Sequence, residues 1–163
     1  KFNMKIVAIY PGTFDPITLG HVNIIERSAR LFDHVVVVVS YNREKTTLFS
    51  DKQRLQWVKD ACAHLENVEC QLYDGLVADA CKTFGADVLI RGIRNGVDSE
   101  YEQNMAYMNQ SIAPGLDTLC FFTDNELRYC SSSNVRELLK FDLDISSLVP
   151  NCVVETLNQG ETK

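Results

Sequence analysis

Short apolar runs alternate with helical patterns along the whole chain. Strands are predicted at residues 5–10, 35–41, 68–73, 86–92 and 117–123. Between these runs, apolar residues recur at the three- and four-residue spacing of one helix face. The second run contains five consecutive valines without polar alternation, which is typical of a strand covered on both faces. The order βαβαβαβαβα therefore predicts an α/β fold, with a doubly wound, five-stranded parallel sheet and helices on both faces.

The ends of several helices are indicated by capping and breaking residues. Ser50 and Gln53 form a capping-box pattern ahead of the second helix. Gly85 closes the third helix, and the pair Pro114-Gly115 follows the fourth. A final short helix is expected from the pattern SLVPNCVVETLNQ. These signals place a helix after every predicted strand.

The length and the absence of any internal repeat predict one domain over residues 1–163. The tail from about 158 to 163 is expected to fray. Met4 is a candidate natural start, which would make residues 1–3 an addition to the chain. No secretory pattern opens the sequence, and the longest apolar run is too short to span a bilayer. A cytoplasmic protein without a membrane partner is therefore expected.

The net charge limits the class of ligand that the protein is expected to bind, and the cysteine pattern indicates its cellular compartment. With 16 Lys and Arg against 22 Asp and Glu, the net charge of −6 argues against general nucleic-acid binding, although a local basic pocket remains compatible with it. No cysteine lies in a C-x-x-C pair or at zinc-finger spacing, so free thiols are expected. The six cysteines are Cys62, Cys70, Cys81, Cys120, Cys130 and Cys152.

Polar segments follow every predicted strand. They read PGTFDPITLGH, NREKTT, DGLV, RGIRNG and TDNELRYCSSS in chain order. Because ligands of doubly wound sheets bind outside the carboxyl ends of the strands, these segments are expected to converge on one edge. Together they supply hydroxyls and cations suited to phosphates, namely Thr13, His21, Lys45, Arg91, Arg94, Ser131, Ser132 and Ser133.

Each of these candidates also has an ordinary structural interpretation. The first segment matches neither the P-loop nor the G-x-G-x-x-G pattern, so it could be a simple strand-to-helix turn. His21 could be a surface or core residue, but at a helix start it could also donate to a phosphate. Lys45 could be a solvated charge. Arg91 ends an apolar run, where a fully solvated side chain is less expected, and arginine suits bidentate phosphate contact.

Two further sets of residues are ambiguous from spacing alone. The three serines could cap a helix or cradle a phosphate. Glu102 and Asn109 lie seven residues apart, so they share one face of a helix. Residues on a solvated face would show the same spacing.

Four motifs, in order, carry a resemblance over about residues 5–157. They read YPGTFDPITLGH, LIRGIRNGVDSEYE, MAYMN and SSSNVREL. They closely resemble the phosphopantetheine adenylyltransferases of bacterial coenzyme A synthesis, whereas TxGH alone marks only the wider nucleotidylyltransferase superfamily. The resemblance implies a Rossmann-like nucleotidylyltransferase fold. It also implies that ATP and 4'-phosphopantetheine give dephospho-coenzyme A and pyrophosphate.

The resemblance further implies the roles of individual residues. The residues implied to be catalytic are His21, Lys45 and Arg94. Those implied to bind phosphopantetheine are Thr13, Lys45, Val77, Arg91 and Asn109. Those implied to bind ATP are Thr13, Phe14, His21, Gly92, Ile93, Arg94, Glu102, Leu127, Arg128, Tyr129, Cys130, Ser131, Ser132 and Ser133. At the positions of Leu127 and Cys130 many relatives carry Trp and Ile, so contacts there are expected from the backbone.

The same resemblance implies a homohexamer, feedback inhibition by coenzyme A, and dependence on Mg2+ that is held mainly by substrate phosphates. Two alternatives remain. Another transferase of the superfamily would act on nicotinamide mononucleotide or glycerol 3-phosphate, but the EYE…MAYMN helix and Thr18, where a second His would stand, count against it. A non-catalytic nucleotide-binding regulator is disfavoured by the intact set of Thr13, His21, Lys45 and Arg91.

Overall fold

A five-stranded parallel sheet forms the centre of the protein. The computed structural model describes residues 4–41, 44 and 46–160. The strands are β1 (Val7–Gly12), β2 (His34–Tyr41), β3 (Val68–Asp74), β4 (Val88–Ile93) and β5 (Asp117–Phe122). Their order is β3-β2-β1-β4-β5, and every neighbouring pair is parallel. The predicted fold class is confirmed.

Helices cover both faces of this sheet. They are α1 (Leu19–Leu31), α2 (Asp51–Cys62), α3 (Val77–Thr83), α4 (Gly96–Ile112), α5 (Ser132–Lys140) and α6 (Asn151–Gly160), with a short 3-10 helix at Asn125–Leu127. The valines of β2 alternate between two apolar cores. Val35, Val37 and Val39 share one core with α1, α2, α5 and α6. Val36 and Val38 pack with α3 in the other, as the unbroken valine run predicts.

The strands β1 and β4 part towards their carboxyl ends. β1 pairs with β2 from Val7 to Gly12, but with β4 only at Ala8 and Ile9. Strand order also reverses between β1 and β4, because the chain runs outward to β3 on one side and to β5 on the other. A doubly wound sheet opens its ligand crevice at such a point.

The predicted end of the first strand at residue 10 is wrong. Pro11 lies inside β1, opposite Val38, although proline has no N–H to donate to a ladder. The parting of β1 and β4 explains this placement, because no β4 residue pairs with β1 beyond Ile9. The carbonyl of Pro11 instead accepts a bond from the Arg91 side chain at 3.2 Å.

The cap predicted for α2 is confirmed at Ser50, whereas the end of α6 differs from the sequence prediction. At Ser50, the side chain accepts from the Gln53 N–H at 3.2 Å, which is the serine half of a capping box. The complete box occurs at α1, where Thr18 and His21 bond reciprocally; His21 takes the place of the usual Glu or Gln, so the pattern does not reveal it. α6 extends to Gly160, three residues beyond the predicted ordered end.

Among residues 4–41, 44 and 46–160, no helix combines the length and apolar character needed to cross a bilayer.

The core of β2 provides a direct test of this packing. Val37→Ala is expected to lower the free energy of unfolding by about 2–3 kcal/mol, because it removes buried methyl groups and leaves a cavity. Val37 is fully buried, whereas Leu31, at the end of α1, is 67% exposed. The control change Leu31→Ala should alter stability by less than about 0.5 kcal/mol. Urea denaturation of both variants makes the measurement; equal losses would contradict the proposed core.

Candidate active site

Two cavities open side by side at the carboxyl edge of the sheet. Their volumes are about 610 and 570 Å³, within the roughly 300–1,000 Å³ usual for small-molecule sites. The first lies over α1 and the start of α5, and the second over α4 and the start of α3. Residues common to both walls are Pro11, Gly12, Thr13, Thr47, Arg91 and Glu102. A ligand in one cavity therefore borders a ligand in the other.

A bidentate ion pair between Arg91 and Glu102 stands in the shared wall. Arg91 Nε donates to Glu102 Oε2 at 2.8 Å, and Nη2 donates to Oε1 at 2.9 Å. Only 8% of the Glu102 side chain is exposed. Burial works against the charged guanidinium, but the hydrogen bonds and charge of Glu102 outweigh it, so the pKa of Arg91 is raised. The arginine is therefore fixed in place as a permanent cation.

Arg91 retains donors for a ligand. A guanidinium has five N–H groups. Two bond Glu102, and one bonds the carbonyl of Pro11. Among the described residues, one N–H on each terminal nitrogen has no protein partner. Because Arg91 borders both cavities, these donors are available to an anion at their junction.

His21 is held in a single tautomer by the α1 cap. Its Nδ1 lies 3.0 Å from the Thr18 N–H, so Nδ1 accepts. The Thr18 hydroxyl gives its one proton to the Cys130 carbonyl at 2.7 Å and cannot supply Nδ1. In the neutral ring the proton must then sit on Nε2. Phe14 packs edge-on against the ring at 4.9 Å and fixes its orientation.

The environment keeps this imidazole neutral. Burial, and then the charges of Arg94 and Arg91, lower the pKa of His21 from 6.5 to about 4. At neutral pH His21 is therefore a hydrogen-bond donor through Nε2 and not a cation. It can stabilise an oxyanion in the first cavity without changing its own protonation state.

Glycine at position 20 is explained by close packing. A Cβ added there would meet the Cys130 carbonyl oxygen at 3.0 Å. The start of α1 thus lies directly against the segment that leads into α5. This contact brings His21 and the serines of α5 into one cavity.

The first cavity also contains the start of α5. Ser131 caps this helix by accepting from the Asn134 N–H at 3.1 Å, so its structural interpretation is correct. The Ser132 hydroxyl donates to the Pro16 carbonyl at 2.8 Å. All three serines line the cavity, and the N–H groups of the first turn of α5 add a site favourable to anions.

Arg94 borders the first cavity beside its partner Asp98. The Arg94 Nε donates to Asp98 Oδ2 at 3.0 Å. Burial opposes ionisation of Asp98, but the bonds and charge of Arg94 prevail, so the pKa of this carboxyl is lowered. The Arg94 side chain remains 42% exposed, which leaves it accessible from the cavity.

The structure brings most of the predicted site residues together. The first cavity contains Thr13, Phe14, His21, Gly92, Arg94, Glu102, Leu127, Cys130, Ser131, Ser132 and Ser133. The second contains Thr13, Val77, Arg91 and Asn109. Glu102 and Asn109 are both buried on the same face of α4. Their roles towards ATP and phosphopantetheine stay predictions.

Three of the predicted residues that the structure describes lie elsewhere. Ile93, Arg128 and Tyr129 line neither cavity. The Arg128 guanidinium instead stacks on the Tyr129 ring at 5.1 Å, and Tyr129 is 63% exposed. These two side chains therefore lie outside both cavities, and contact of their backbone with ATP stays a prediction. Lys45 lies outside the described residues.

Sequence reasoning missed several residues of the walls. Asp15 and Thr123 lie in the polar segments that were assigned to this edge but were not singled out, and Leu48, just beyond the segment NREKTT, could have been found by the same rule. Arg136 stands one turn into α5 and reaches back to the Asp15 carbonyl at 2.8 Å. No sequence signal links those two positions, because they are 121 residues apart.

The carboxylates of the first cavity are already bonded by protein groups. Asp15 accepts from the N–H groups of Leu48 and Phe49 at 2.8 and 3.0 Å, and Glu102 and Asp98 pair with arginines. In the described part of the chain, no three His, Cys, Asp or Glu side chains form a group that could hold a metal. With its carboxylates engaged in this way, the first cavity fits a divalent cation that is coordinated mainly by phosphate oxygens of a ligand.

A parallel sheet with two adjoining, arginine-bordered cavities at its switch point has the architecture of a nucleotidyltransferase. The cytidylyltransferase-like family matches residues 9–138. A crystal structure of a putative nicotinate-nucleotide adenylyltransferase from Vibrio parahaemolyticus superposes with a TM-score of 0.66, over 96% of this chain and 94% of that one, at 22% identity. That likeness concerns the fold.

Curated relatives define the group more narrowly. A phosphopantetheine adenylyltransferase from Levilactobacillus brevis is 42% identical over 93% of this chain and 94% of its own length. Those from Cyanothece sp. and Acaryochloris marina are 45% and 43% identical, over 89% and 97% of this chain and 86% and 90% of their own. The chain belongs to the phosphopantetheine adenylyltransferase family, as its four motifs predict.

The lowered pKa of His21 predicts a pH dependence of stability. Between about pH 6.5 and 4, an unfolded chain binds a proton at this residue that the folded chain does not bind. The free energy of unfolding should therefore fall as pH drops through this window. From about pH 7 to 5 the loss due to His21 should be at most about 2 kcal/mol.

Urea denaturation at both pH values, compared between the natural chain and His21→Gln, isolates this contribution. Other titrating groups are common to both proteins and cancel in the difference. The natural chain should lose more stability on acidification than the variant. Equal losses would show that the folded imidazole titrates near its ordinary pKa.

Proposed function

We propose that the protein transfers the adenylyl group of ATP to 4'-phosphopantetheine, forming dephospho-coenzyme A and pyrophosphate. The observation that carries this proposal is the pair of cavities sharing Thr13, Arg91 and Glu102. A two-substrate transfer requires such a junction, where the acceptor can meet the donor. Relatives more than 40% identical over nearly the whole chain bear this activity as their name.

In the proposed arrangement ATP occupies the first cavity and phosphopantetheine the second. An oxygen of the acceptor phosphate attacks the α-phosphorus of ATP. A new P–O bond forms as the bond to the bridging oxygen of the β-phosphate breaks, and pyrophosphate leaves with that electron pair. The attacking phosphate is already an anion, so no general base is required. Catalysis then depends on positioning and on neutralising charge.

The described side chains are suited to binding ATP in the first cavity and phosphopantetheine in the second. Arg91 directs its remaining N–H groups towards the acceptor phosphate at the junction of the cavities. Nε2 of neutral His21 donates to the α-phosphate as its charge develops, and Arg94 and the start of α5 receive the other phosphates of ATP. Asn109 and Val77 contact the pantetheine arm. Lys45 is proposed as a further phosphate clamp on the basis of sequence alone.

We propose Mg2+ as the cofactor. The carboxylates of the first cavity are engaged by protein groups, so ATP and pyrophosphate oxygens would hold the ion. When bound, the ion would neutralise phosphate charge and favour departure of pyrophosphate.

We also propose that the chain associates with itself, as a homohexamer. Large apolar side chains are exposed on α4 and on the edge strand β5, including Tyr107 at 63%, Met108 at 50% and Phe122 at 76%. Exposed apolar patches on a protein surface are typical of contact surfaces. Light scattering coupled to gel filtration tests the stoichiometry.

Coenzyme A is proposed as a feedback inhibitor, because it combines a pantetheine arm with an adenine nucleotide and so suits both cavities. A cytoplasmic location is proposed from the free state of all six cysteines. Inhibition of the forward reaction by added coenzyme A tests the first of these proposals.

Pyrophosphate release by the purified protein with ATP and 4'-phosphopantetheine tests the main proposal. Nicotinamide mononucleotide and glycerol 3-phosphate serve as alternative acceptors in parallel reactions. We expect turnover with phosphopantetheine alone. Turnover with another acceptor would reassign the substrate, and ATP binding without turnover on any acceptor would favour a regulator.

His21→Ala is expected to lower kcat by about 100- to 1,000-fold, since one donor to the transition-state oxyanion is lost. ATP affinity should change much less, because the other contacts of the first cavity remain. Steady-state kinetics and calorimetric titration with ATP separate the two effects. His64→Ala is the control, because His64 is an exposed residue bonded to Glu26. Near-normal turnover of His21→Ala would remove His21 from the mechanism.

The ion pair in the shared wall predicts coupled effects on the two substrates. Arg91→Ala should weaken phosphopantetheine more than ATP. Glu102→Ala should weaken both, because it frees the arginine from its bonded position. The double variant should lose less than the sum of the single losses, with a coupling of about 0.5–3 kcal/mol. Calorimetric titration of each ligand measures the cycle.

The exposed pair of Lys140 and Glu137, 3.1 Å apart on α5, provides the control cycle and should show no coupling in ligand binding. Strict additivity at Arg91 and Glu102 would mean that the pair does not act as a unit.

A further inference from the structure

Arg54, on α2, is a buried cation to which the proposed mechanism assigns no role. The residue is only 1% exposed, and it belongs to the wall of neither cavity. Lysine and arginine are almost never buried to this degree without several partners. The contacts of the Arg54 side chain therefore indicate its role in the structure.

The guanidinium bonds the backbone of three separate segments. Nη1 donates to the carbonyl of Thr13 and, at 3.1 Å, to that of Ser40. Nε donates to the carbonyl of Phe49 at 3.3 Å. Nη2 pairs with the carboxylate of Asp51, one turn earlier on the same helix. One rigid group thus joins the end of β1, the end of β2 and the loop before α2.

All three segments carry residues of the cavity walls. Thr13 borders both cavities and Ser40 borders the second. Phe49 follows Thr47 and Leu48, which line the first. The Asp15 carboxylate adds a second link between these segments, since it accepts from the N–H groups of Leu48 and Phe49. The turn after β1 and the loop before α2 are therefore tied to each other from both sides.

We propose that Arg54 is a positioning residue, which holds Thr13 at the junction of the two substrates and fixes the facing segment 46–50 against it. This inference rests on the proposed adenylyl transfer. It assigns to Arg54 no contact with either substrate.

The chemistry of arginine explains why this position needs a guanidinium. Its planar fork presents donors in fixed directions, so three carbonyls from three segments can be bonded at once. A lysine keeps the charge, but its single ammonium cannot reproduce that spacing. A buried ion pair is also weak evidence for a purely stabilising role. An unusually buried arginine at this place is better explained by the geometry it imposes.

The kinetic test compares Arg54→Lys with the natural chain. Displacement of positioned groups by about 1 Å can cost roughly 100-fold in rate. We expect kcat to fall about 10- to 100-fold, with KM for ATP changed only a few-fold. Val153→Ala, in the buried core of α6, is the control for general destabilisation. At a similar loss of Tm it should keep kcat within about two-fold.

Hydrogen–deuterium exchange tests the same proposal without turnover. In Arg54→Lys, amides in segments 13–18 and 46–50 should exchange about ten-fold faster, whereas those of α6 should not change. The opposite distribution is expected for Val153→Ala. This measurement needs no substrate.

Unchanged kcat together with unchanged exchange in segments 13–18 and 46–50 would overturn the proposal, and so would an equal loss of kcat in Val153→Ala at the same Tm. If the natural chain fails to turn over phosphopantetheine, the proposed function fails, but exchange still decides whether Arg54 holds these segments.

Discussion

The site depends on the parting of β1 and β4, and on the ion pair that fills the gap. Beyond Ile9 the two strands no longer pair. Arg91, on β4, spans the opening by bonding the Pro11 carbonyl on β1 and the Glu102 carboxylate on α4. The two cavities meet on either side of this bridge. If β1 and β4 paired along their whole length, the two cavities could not meet. Without its carboxylate partner, Arg91 would not be held in one orientation.

Three of the described arginines in and near the site are each paired with a carboxylate. Arg91 pairs with Glu102, Arg94 with Asp98 and Arg54 with Asp51. This pairing reduces the raw attraction for anions, but it fixes the donors before a ligand arrives. Preorganised donors stabilise developing charge more effectively than mobile ones, because they need not reorganise during the reaction. The arrangement also shows how a chain of net charge −6 can present a local group of cationic hydrogen-bond donors.

The sequence was most informative where a local rule applies. Alternating runs and the valines of β2 predicted the sheet, and polar residues after strands predicted most of the two cavity walls. It failed where the decisive contact is tertiary. Pro11 remains in β1 because β4 has turned away, and His21 completes a cap that normally needs Glu or Gln. Arg54 and Arg136 act through carbonyls 41 and 121 residues distant, which no periodicity can reveal.

The neighbours of His21 determine its tautomer and its protonation state, and these limit the chemistry that the residue can perform. In the α1 cap the Thr18 N–H donates to Nδ1 of His21. Burial and two nearby arginines lower the pKa of the ring, so the ring is neutral at physiological pH. Such an imidazole makes a poor base, since Nδ1 is occupied and Nε2 already carries a proton. It is instead a fixed neutral donor that works equally well across the physiological pH range. An enzyme whose nucleophile is already an anionic phosphate needs that donor and has no proton to remove.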